Sequence, residues 1–393
     1  MNGTFLSNID GKNAILKKHM IALCINEGDY SIADLSKELN TSIPTITKLV
    51  GELIEEGFLV DMGKQGTNGG RRPSIYGLNP SAGYLVGTEV SRKSISVAVT
   101  NFKGQLIEYQ EGVPFTLGNS EESFRELCRH ITGILEKAEI DPAHVLSYGF
   151  NLSGRVNNKT GYCFTYFIGE DRPIASFLQS ELKRPVFVEN DSRAMTYGEY
   201  ICGAANDEDN MLFINVSWGL GMGMISDGKL SYGKSGFSGE IGHFPFLENN
   251  IVCHCGKTGC LETYASATGV ARTAREWLEL TDEPSVLRGL DTIASKDVYE
   301  AAKDGDKLAL KIFEFTGKIL GRSFADFIAF SSPEAIVLFG GLARAKEFLT
   351  EPIEEAMNAN VLPLWRGKVK IVYSQLKESD AAILGASALA WEL

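Results

Sequence analysis

The chain lacks any apolar run of the roughly 20 residues that a membrane-crossing helix needs. Residues 1–10 also lack a basic stretch followed by an apolar one, so no secretory leader is expected and a cytoplasmic protein is. Excess positive charge is missing as well. The 38 Lys and Arg are outnumbered by 50 Asp and Glu, a net charge of −12, which argues at first against nucleic acid. A disulfide framework is missing too, because three of the seven cysteines crowd between Cys253 and Cys260. In a large non-secreted chain that clustering favours a metal. With 44% hydrophobic and 22% charged residues over 393 positions, a disordered or low-complexity protein is excluded, and two to three domains are expected.

The acidity is not evenly spread. Between Met62 and Thr88 stand Lys64, Arg71 and Arg72 and no acid at all. Phosphate attraction acts within about 8–10 Å at ordinary ionic strength, so a local basic loop on an acidic protein can still meet DNA. The elements around it fit that reading. Ala14–Ile25 is apolar at helical spacing and ends at Asn26-Glu27-Gly28-Asp29. Ser31, with Asp34 three residues on, predicts a capped short helix carrying Leu35 and Leu39. After Asn40-Thr41-Ser42, a third helix is predicted over Ile43–Glu56, with Pro44 in its first turn and Ile46, Leu49 or Val50, and Leu53 inward. Ser42, Pro44, Thr45 and Lys48 are then the candidate DNA contacts, on a helix-turn-helix. Phe58–Val60 and Ser74–Leu78 read as strands flanking a glycine-rich loop. They make a wing whose Arg71 and Arg72 reach phosphate or the minor groove.

From Ser81 the pattern alternates. Strands are predicted at Tyr84–Val90, Ser94–Thr100, Gly104–Tyr109, Val145–Asn151, Pro185–Glu189, Asn210–Val216, Gly221–Ser226 and Ala335–Phe339. A helix is predicted over Ser120–Ala138, and helices dominate from Leu261 to Phe330. A strand hairpin recurs twice, each time followed by helices and strands, which suggests two similar α/β lobes.

Four stretches carry a resemblance: Glu189-Asn190-Asp191, Gly239-Glu240-Ile241-Gly242-His243, the run from Cys253 to Glu262, and Asp380–Ala386. Together they resemble the ROK family of sugar-responsive repressors and sugar kinases. The N-terminal module, with its Gly-Gly-Arg-Arg-Pro run, resembles that of the repressor branch. The resemblance implies an α/β fold class: a winged helix-turn-helix over residues 1–80, then a two-lobed actin-like (ribonuclease H-like, sugar kinase) ATPase fold over 81–393. The first lobe is expected at about 81–190 plus the C-terminal helix, the second at about 191–379.

Cys253, Cys255 and Cys260 offer three thiolates within eight residues, and Gly256 and Gly259 let the chain wrap a small ion. His243 and His254 compete as the fourth ligand. The position of His254 between two cysteines should point its ring away, and the family pattern implies His243, hence a structural Cys₃His zinc ion. The resemblance further implies a sugar site of Asn190, Asp191, Glu240, His243 and Glu262. In the kinases the position of Asp191 is the general base. Two departures stand out ahead of that strand, Thr165-Tyr166-Phe167-Ile168-Gly169 and Asn151-Leu152-Ser153-Gly154, neither of which carries the usual proline-glycine pair.

The kinases' Asp-x-Gly-Gly-Thr phosphate loop reads Glu89-Val90-Ser91-Arg92-Lys93 here, and the second loop, normally Gly-Thr-Gly, reads Ser217-Trp218-Gly219. Gly340-Gly341 remains near the adenosine position. The resulting expectation is a repressor without catalytic residues, forming a homodimer or a dimer of dimers on operator DNA. A sugar or sugar phosphate bound between the lobes would reset the spacing of the recognition helices. The alternatives are a carbohydrate kinase that also binds DNA, and a repressor controlled by a partner protein.

Overall fold

The computed structural model describes residues 12–64, 73–166, 172–203, 208–246, 250–377, 380, 383 and 385–386. By its contacts the chain resolves into two compact units. The first comprises Met1–Phe150, Tyr166–Val188 and Ala386–Leu393, the second Asn151–Thr165 and Glu189–Gly385.

The first unit begins with α1 (Lys12–Glu27), β1 (Tyr30–Ser31), α2 (Ile32–Glu38) and α3 (Ile43–Glu55). Ser31 caps α2 in a full capping box with Asp34, and Ser42 caps α3 by accepting from the Thr45 N–H. The strands β2 (Leu59–Lys64) and β3 (Ser74–Leu78) pair antiparallel, and β1 adds to the other edge of β3, a strand pairing that no periodicity announces in two residues. Ile46, Leu49, Val50 and Leu53 are all buried, so both of the alternative stripe positions point inward. Arg71 and Arg72, the expected wing contacts, lie outside the described residues.

The same unit holds, apart from Asn151–Leu152 and Glu189–Asn190 at two strand ends, a sheet of β4 (Tyr84–Val90), β5 (Ser94–Asn101), β6 (Leu106–Pro114), β7 (Val145–Leu152) and β10 (Val186–Asn190), in the order β10-β7-β4-β5-β6. The N-terminal elements and this sheet share one core. Phe58 meets Phe102 with ring centroids 5.2 Å apart, Ala82 and Leu146 join the cluster, and Lys103 pairs with Asp29 at 3.7 Å. The described N-terminal elements, from Lys12 to Leu78, therefore share apolar side chains with this sheet and belong to its compact unit.

In the second unit, β11 (Met211–Val216), β12 (Leu220–Ser226), β13 (Lys229–Leu230), β14 (Ala335–Phe339) and β15 (Lys370–Tyr373) form a sheet in the order β13-β12-β11-β14-β15. Numbered within themselves, both sheets run 3-2-1-4-5, so the duplication anticipated from the hairpins is a duplication of topology. Strand alternation divides the second core. Leu212, Ile214, Ile336 and Leu338 face a cluster with Phe313 and Phe324, while Met211, Phe213, Ala335 and Val337 face Met195 and Ile225. Phe313 and Phe324 lie on α10, which the sequence places in its helix-rich stretch and which spans Lys307–Ser331.

The short hairpin β8 (Val156–Asn157) and β9 (Tyr162–Cys163) belongs to the second unit, as do Glu189 and Asn190. The expected first lobe of 81–190 is thus divided differently. The reason is a set of hydrogen bonds from the start of α6 (Asp191–Cys202): the Asn190 amide donates to Gly154 O at 2.7 Å and the Arg193 guanidinium to Val156 O at 2.7 Å. Among the described residues no helix is long and apolar enough to cross a membrane.

Candidate metal centre and polar site

The cysteine run folds as a tight turn laid back on the segment that carries His243. Cys253 N–H donates to Lys257 O at 2.8 Å and Gly256 N–H to Cys253 O at 2.9 Å, while bridges pair Pro245 with Cys260 and Val252 with Thr258. This brings His243, Cys253, Cys255 and Cys260 together with every donor atom within 4.8 Å of the others. Cys253 Sγ is 3.6 Å from His243 Nδ1, and Cys255 Sγ is 3.6 Å from Cys260 Sγ. Ligands about 2.3 Å from a tetrahedral Zn²⁺ are separated by about 3.8 Å, so the donor set and its spacing fit that ion. Burial pushes the Cys253 thiol up to about 12 and raises Cys260. A divalent cation would supply the charge that three adjacent thiolates require.

His243 faces two ways. Its Nδ1 is toward the thiols, and its Nε2 lies 3.9 Å from Glu240 Oε2. A metal on Nδ1 would leave the proton on Nε2, aimed at the polar site.

That site is built at the junction of β10 and α6. Asn190 caps α6 by accepting from the Arg193 N–H at 3.2 Å. Its amide also donates to Asp191 Oδ1 at 2.8 Å, which accepts from the Ser192 N–H at 2.7 Å. Burial nevertheless pushes the Asp191 carboxyl above its usual range. Burial raises Glu240 too; Arg193 and Arg155 pull it down, and Asp191 and Glu262 push it up again. Those influences put both Asp191 and Glu262 near Glu240. Glu262, buried, accepts from the Leu220 N–H through Oε2 at 3.0 Å.

One expectation needs correction. The ring of His254 does not turn away from this region. Its Nδ1 is 2.9 Å from Glu262 Oε1, and its ring sits 5.2 Å from that of His243. The peptide between the two cysteines is held by the turn, and Glu262 supplies an acceptor on the inner side. Two further residues carry no motif signal. Arg193, 1% exposed, binds Glu189 at 2.7 Å, and its Nη1 reaches Ser238 O at 3.4 Å, which ties the start of α6 to the loop leading to Glu240. The four-residue spacing from Glu189 to Arg193 was the available hint. Ser192, beside it, holds both Asp191 and Asn215, at 3.3 Å and 3.2 Å.

The Ser217-Trp218-Gly219 loop joins β11 to β12 against the same glutamate. A Cβ on Gly219 would stand 2.5 Å from Glu262 Oε2, so any larger residue there would displace that carboxylate. Gly340, at φ +97°, packs on this loop as well, where a Cβ would lie 2.4 Å from Ser217 Oγ. Close packing thus accounts for Gly340 with no nucleotide needed. Arg92 and Lys93 are exposed in the β4–β5 turn, and Phe167–Gly169 lie outside the described residues.

On α3, Pro44 and Lys48 are exposed, and Ser42 and Thr45 share a hydroxyl contact of 2.8 Å. Ile43, 55% exposed, and Thr47 extend that face and were not singled out by the buried stripe.

The comparisons with known proteins bear on all three regions. A model of the ROK family matches residues 85–392. A xylose repressor of Caldicellulosiruptor bescii is 28% identical over 90% of both chains. A glucokinase of Halalkalibacterium halodurans is 31% identical over 77% of this chain and 93% of its own. The crystal structure of a ROK family transcriptional regulator, a homologue of the Escherichia coli MLC protein, covers 97% of both chains with a TM-score of 0.84 and 26% identity.

Proposed function

The chain belongs to the ROK family, and from that premise we propose that it is a sugar-responsive transcriptional repressor of carbohydrate genes. The observation that carries this reading is the extent of the likeness. The family model begins at residue 85, whereas the xylose repressor and the solved regulator extend over 90% and 97% of the chain. Ahead of residue 85 lie the three helices and the hairpin. In this reading they are a winged helix-turn-helix, with α3 presenting Ser42, Pro44, Thr45 and Lys48 to the major groove and Arg71 and Arg72 on the wing. A dimer would set two such helices on half-sites about 34 Å apart, or a multiple of it. Operator DNA as partner puts the protein in the cytoplasm.

The effector is a sugar held by Asn190, Asp191, Glu240, His243 and Glu262, whose carboxylates and amide pair with hydroxyls. Zinc on His243, Cys253, Cys255 and Cys260 fixes the His243 ring and the turn leading to Glu262; it is structural, since protein fills all four positions. The second reading, a carbohydrate kinase, is favoured by the glucokinase likeness. Against it stand Arg92 and Lys93 where the kinases have glycines, and Trp218 where they have threonine.

A DNA-binding assay on the chain's own promoter region, with a panel of sugars and sugar phosphates, tests the proposal. Release of DNA by one of them is the expected result, and absence of specific DNA binding would sink it. An ATP-coupled assay tests the second reading: turnover that Asp191→Asn abolishes would make the protein a kinase.

A further inference from the structure

The helix α3 commits one apolar stripe to the core and leaves one apolar side chain at its start outside it. Ile46, Leu49, Val50 and Leu53 are buried in the cluster around Met20, Leu35 and Phe58. Ile43, in the first turn, is 55% exposed. Among the described residues it joins neither that cluster nor the half-buried apolar side chains packed on it. Pro44 beside it and Thr47 one turn on are exposed as well. The hydroxyls at this end of the helix are engaged locally. Ser42 Oγ accepts from the Thr45 N–H and lies 2.8 Å from Thr45 Oγ1, and the Thr47 hydroxyl gives its one proton to Ile43 O at 2.8 Å. The sequence of α3 contains no Arg, Asn or Gln, the side chains that read guanine and adenine through paired hydrogen bonds. Lys48, its side chain 67% exposed, is the single cation between Thr41 and Gly51, a stretch that holds no acid. The first acid beyond it, Glu52, pairs with Lys17 at 2.9 Å. This face therefore offers methyl groups and one positive charge, with no acid to repel a phosphate.

Against a DNA duplex, that composition selects one base. The 5-methyl of thymine is the apolar group that base edges present in the major groove, where the other groups are hydrogen-bond donors and acceptors. An isoleucine set against guanine O6 or adenine N7 would strip water from an acceptor and return no donor. Set against thymine, it takes two apolar surfaces out of water together. The N-terminal residues of the second helix of a helix-turn-helix are the ones that reach base edges, and Ile43 is the first residue of α3.

We propose that Ile43 is a specificity-determining residue of the DNA interface, reading a thymine methyl in each half-site by apolar contact, with Lys48 supplying attraction to the phosphates. This rests on the helix-turn-helix reading given above. The test begins with selection of duplexes from a random-sequence pool by the full-length protein. Each thymine that the selected half-sites share is then replaced in turn by deoxyuridine, which lacks only the 5-methyl, and affinity is measured by fluorescence anisotropy. At one such position the wild type should lose about fourfold per half-site, the worth of one buried methyl group. Ile43→Ala should bind the thymine and uracil duplexes alike at that position, with an unchanged melting temperature. Ile43→Val, which keeps two methyls, should retain part of the difference. Absence of any thymine whose methyl matters to the wild type, or a difference that persists undiminished in Ile43→Ala, overturns the proposal and leaves the DNA-binding reading standing. Failure of the folded protein to enrich any sequence overturns both.

Discussion

The two sheets share a strand order, and the turns between their first two strands have opposite surroundings. In the first sheet the β4–β5 turn is held by the Ser91 N–H and hydroxyl, which both donate to Ser94 O at 2.9 Å, and by the Phe115 N–H, which donates to Lys93 O at 3.0 Å; Arg92 and Lys93 are exposed. In the second, the β11–β12 turn is gripped by Ala267, Thr268, Glu262 and Gly340. The difference lies in the segment downstream of each sheet's third strand. After β6 only residues 115–120 precede the helix Glu121–Lys137. After β13 the chain makes the long excursion 231–261, with Glu240, His243 and all three clustered cysteines, before the helix Glu262–Ala265. One topology thus carries two different downstream segments, and in the second unit that segment holds Glu240, His243 and the clustered cysteines.

The strongest way to break this contrast is to remove a thiolate. Cys260→Ser should lower zinc from about one per chain to near none by elemental analysis and cost about 4 kcal/mol or more, the range reached when a structural metal is lost. In a unit of this size that is a fall in melting temperature of roughly 8–16 °C. Wild-type protein without zinc, produced in zinc-replete medium with reduced cysteines, would refute the metal assignment outright.

Next in size is Gly340→Ala. The added Cβ would meet Ser217 Oγ at 2.4 Å and Asn215 Oδ1 at 2.8 Å, on a backbone at φ +97°. A loss of about 2–4 kcal/mol in urea unfolding is expected from strain and overlap together.

Asp191→Ala should remove one charge-assisted acceptor, about 1.5–3 kcal/mol, and weaken the sugar about 10- to 150-fold. Operator affinity should stay near wild type while its response to the sugar disappears. Moving a two-state repressor from 1:99 to 99:1 takes about 5.5 kcal/mol, so two sites per dimer would each supply about 2.7 kcal/mol, and one hydrogen bond is a large part of that. Loss of operator affinity itself, with fold and zinc intact, would contradict the switch.

A smaller effect comes from the raised Asp191 carboxyl. Between its ordinary value of 3.8 and its raised one, the folded state holds the proton that the unfolded state has released. Its contribution to stability is therefore present below 3.8 and lost as pH rises through the raised value. Asp191→Asn should be more stable than wild type at neutral pH, with the gap closing as pH falls toward that lower limit. Sugar affinity of the wild type should fall as pH drops through the raised value. Thermal melts and titrations across pH check both signs.

The smallest effect is expected on the other side of the comparison. Arg92→Ala with Lys93→Ala should change stability by less than about 0.5 kcal/mol, as exposed substitutions do. It should also leave affinity for the sugar unchanged. A tenfold change in affinity would bring the first turn back into the site.

Much was legible because it is local. Ser31 and Asp34 predict a cap that forms as a complete box, and Ser42 with Pro44 marks the start of α3 to the residue. The cysteine spacing announces the cluster of Cys253, Cys255 and Cys260 because a turn of eight residues must bring its own thiols close. Less legible was whatever depends on distant partners. His254 turns toward Glu262 because the turn packs on that helix, which adjacency to two cysteines cannot reveal. Arg193 shows a single local hint, and its contacts with Val156 and Ser238 are long-range.

The sequence by itself determined the longer helices and strands, the caps of α2 and α3, the doubled hairpin and the residue types of both candidate centres, since these arise from periodicity, steric preference and ligand chemistry over short distances. Only the tertiary structure decided which unit holds them. It placed the N-terminal helices on the core of the first sheet through Phe58 and Phe102, and moved the 151–165 hairpin to the second unit through Asn190 and Arg193. It also set Trp218 beside His254. Shared cores and buried ion pairs are agreements between segments far apart in the chain, and their energy exists only once both segments are in place.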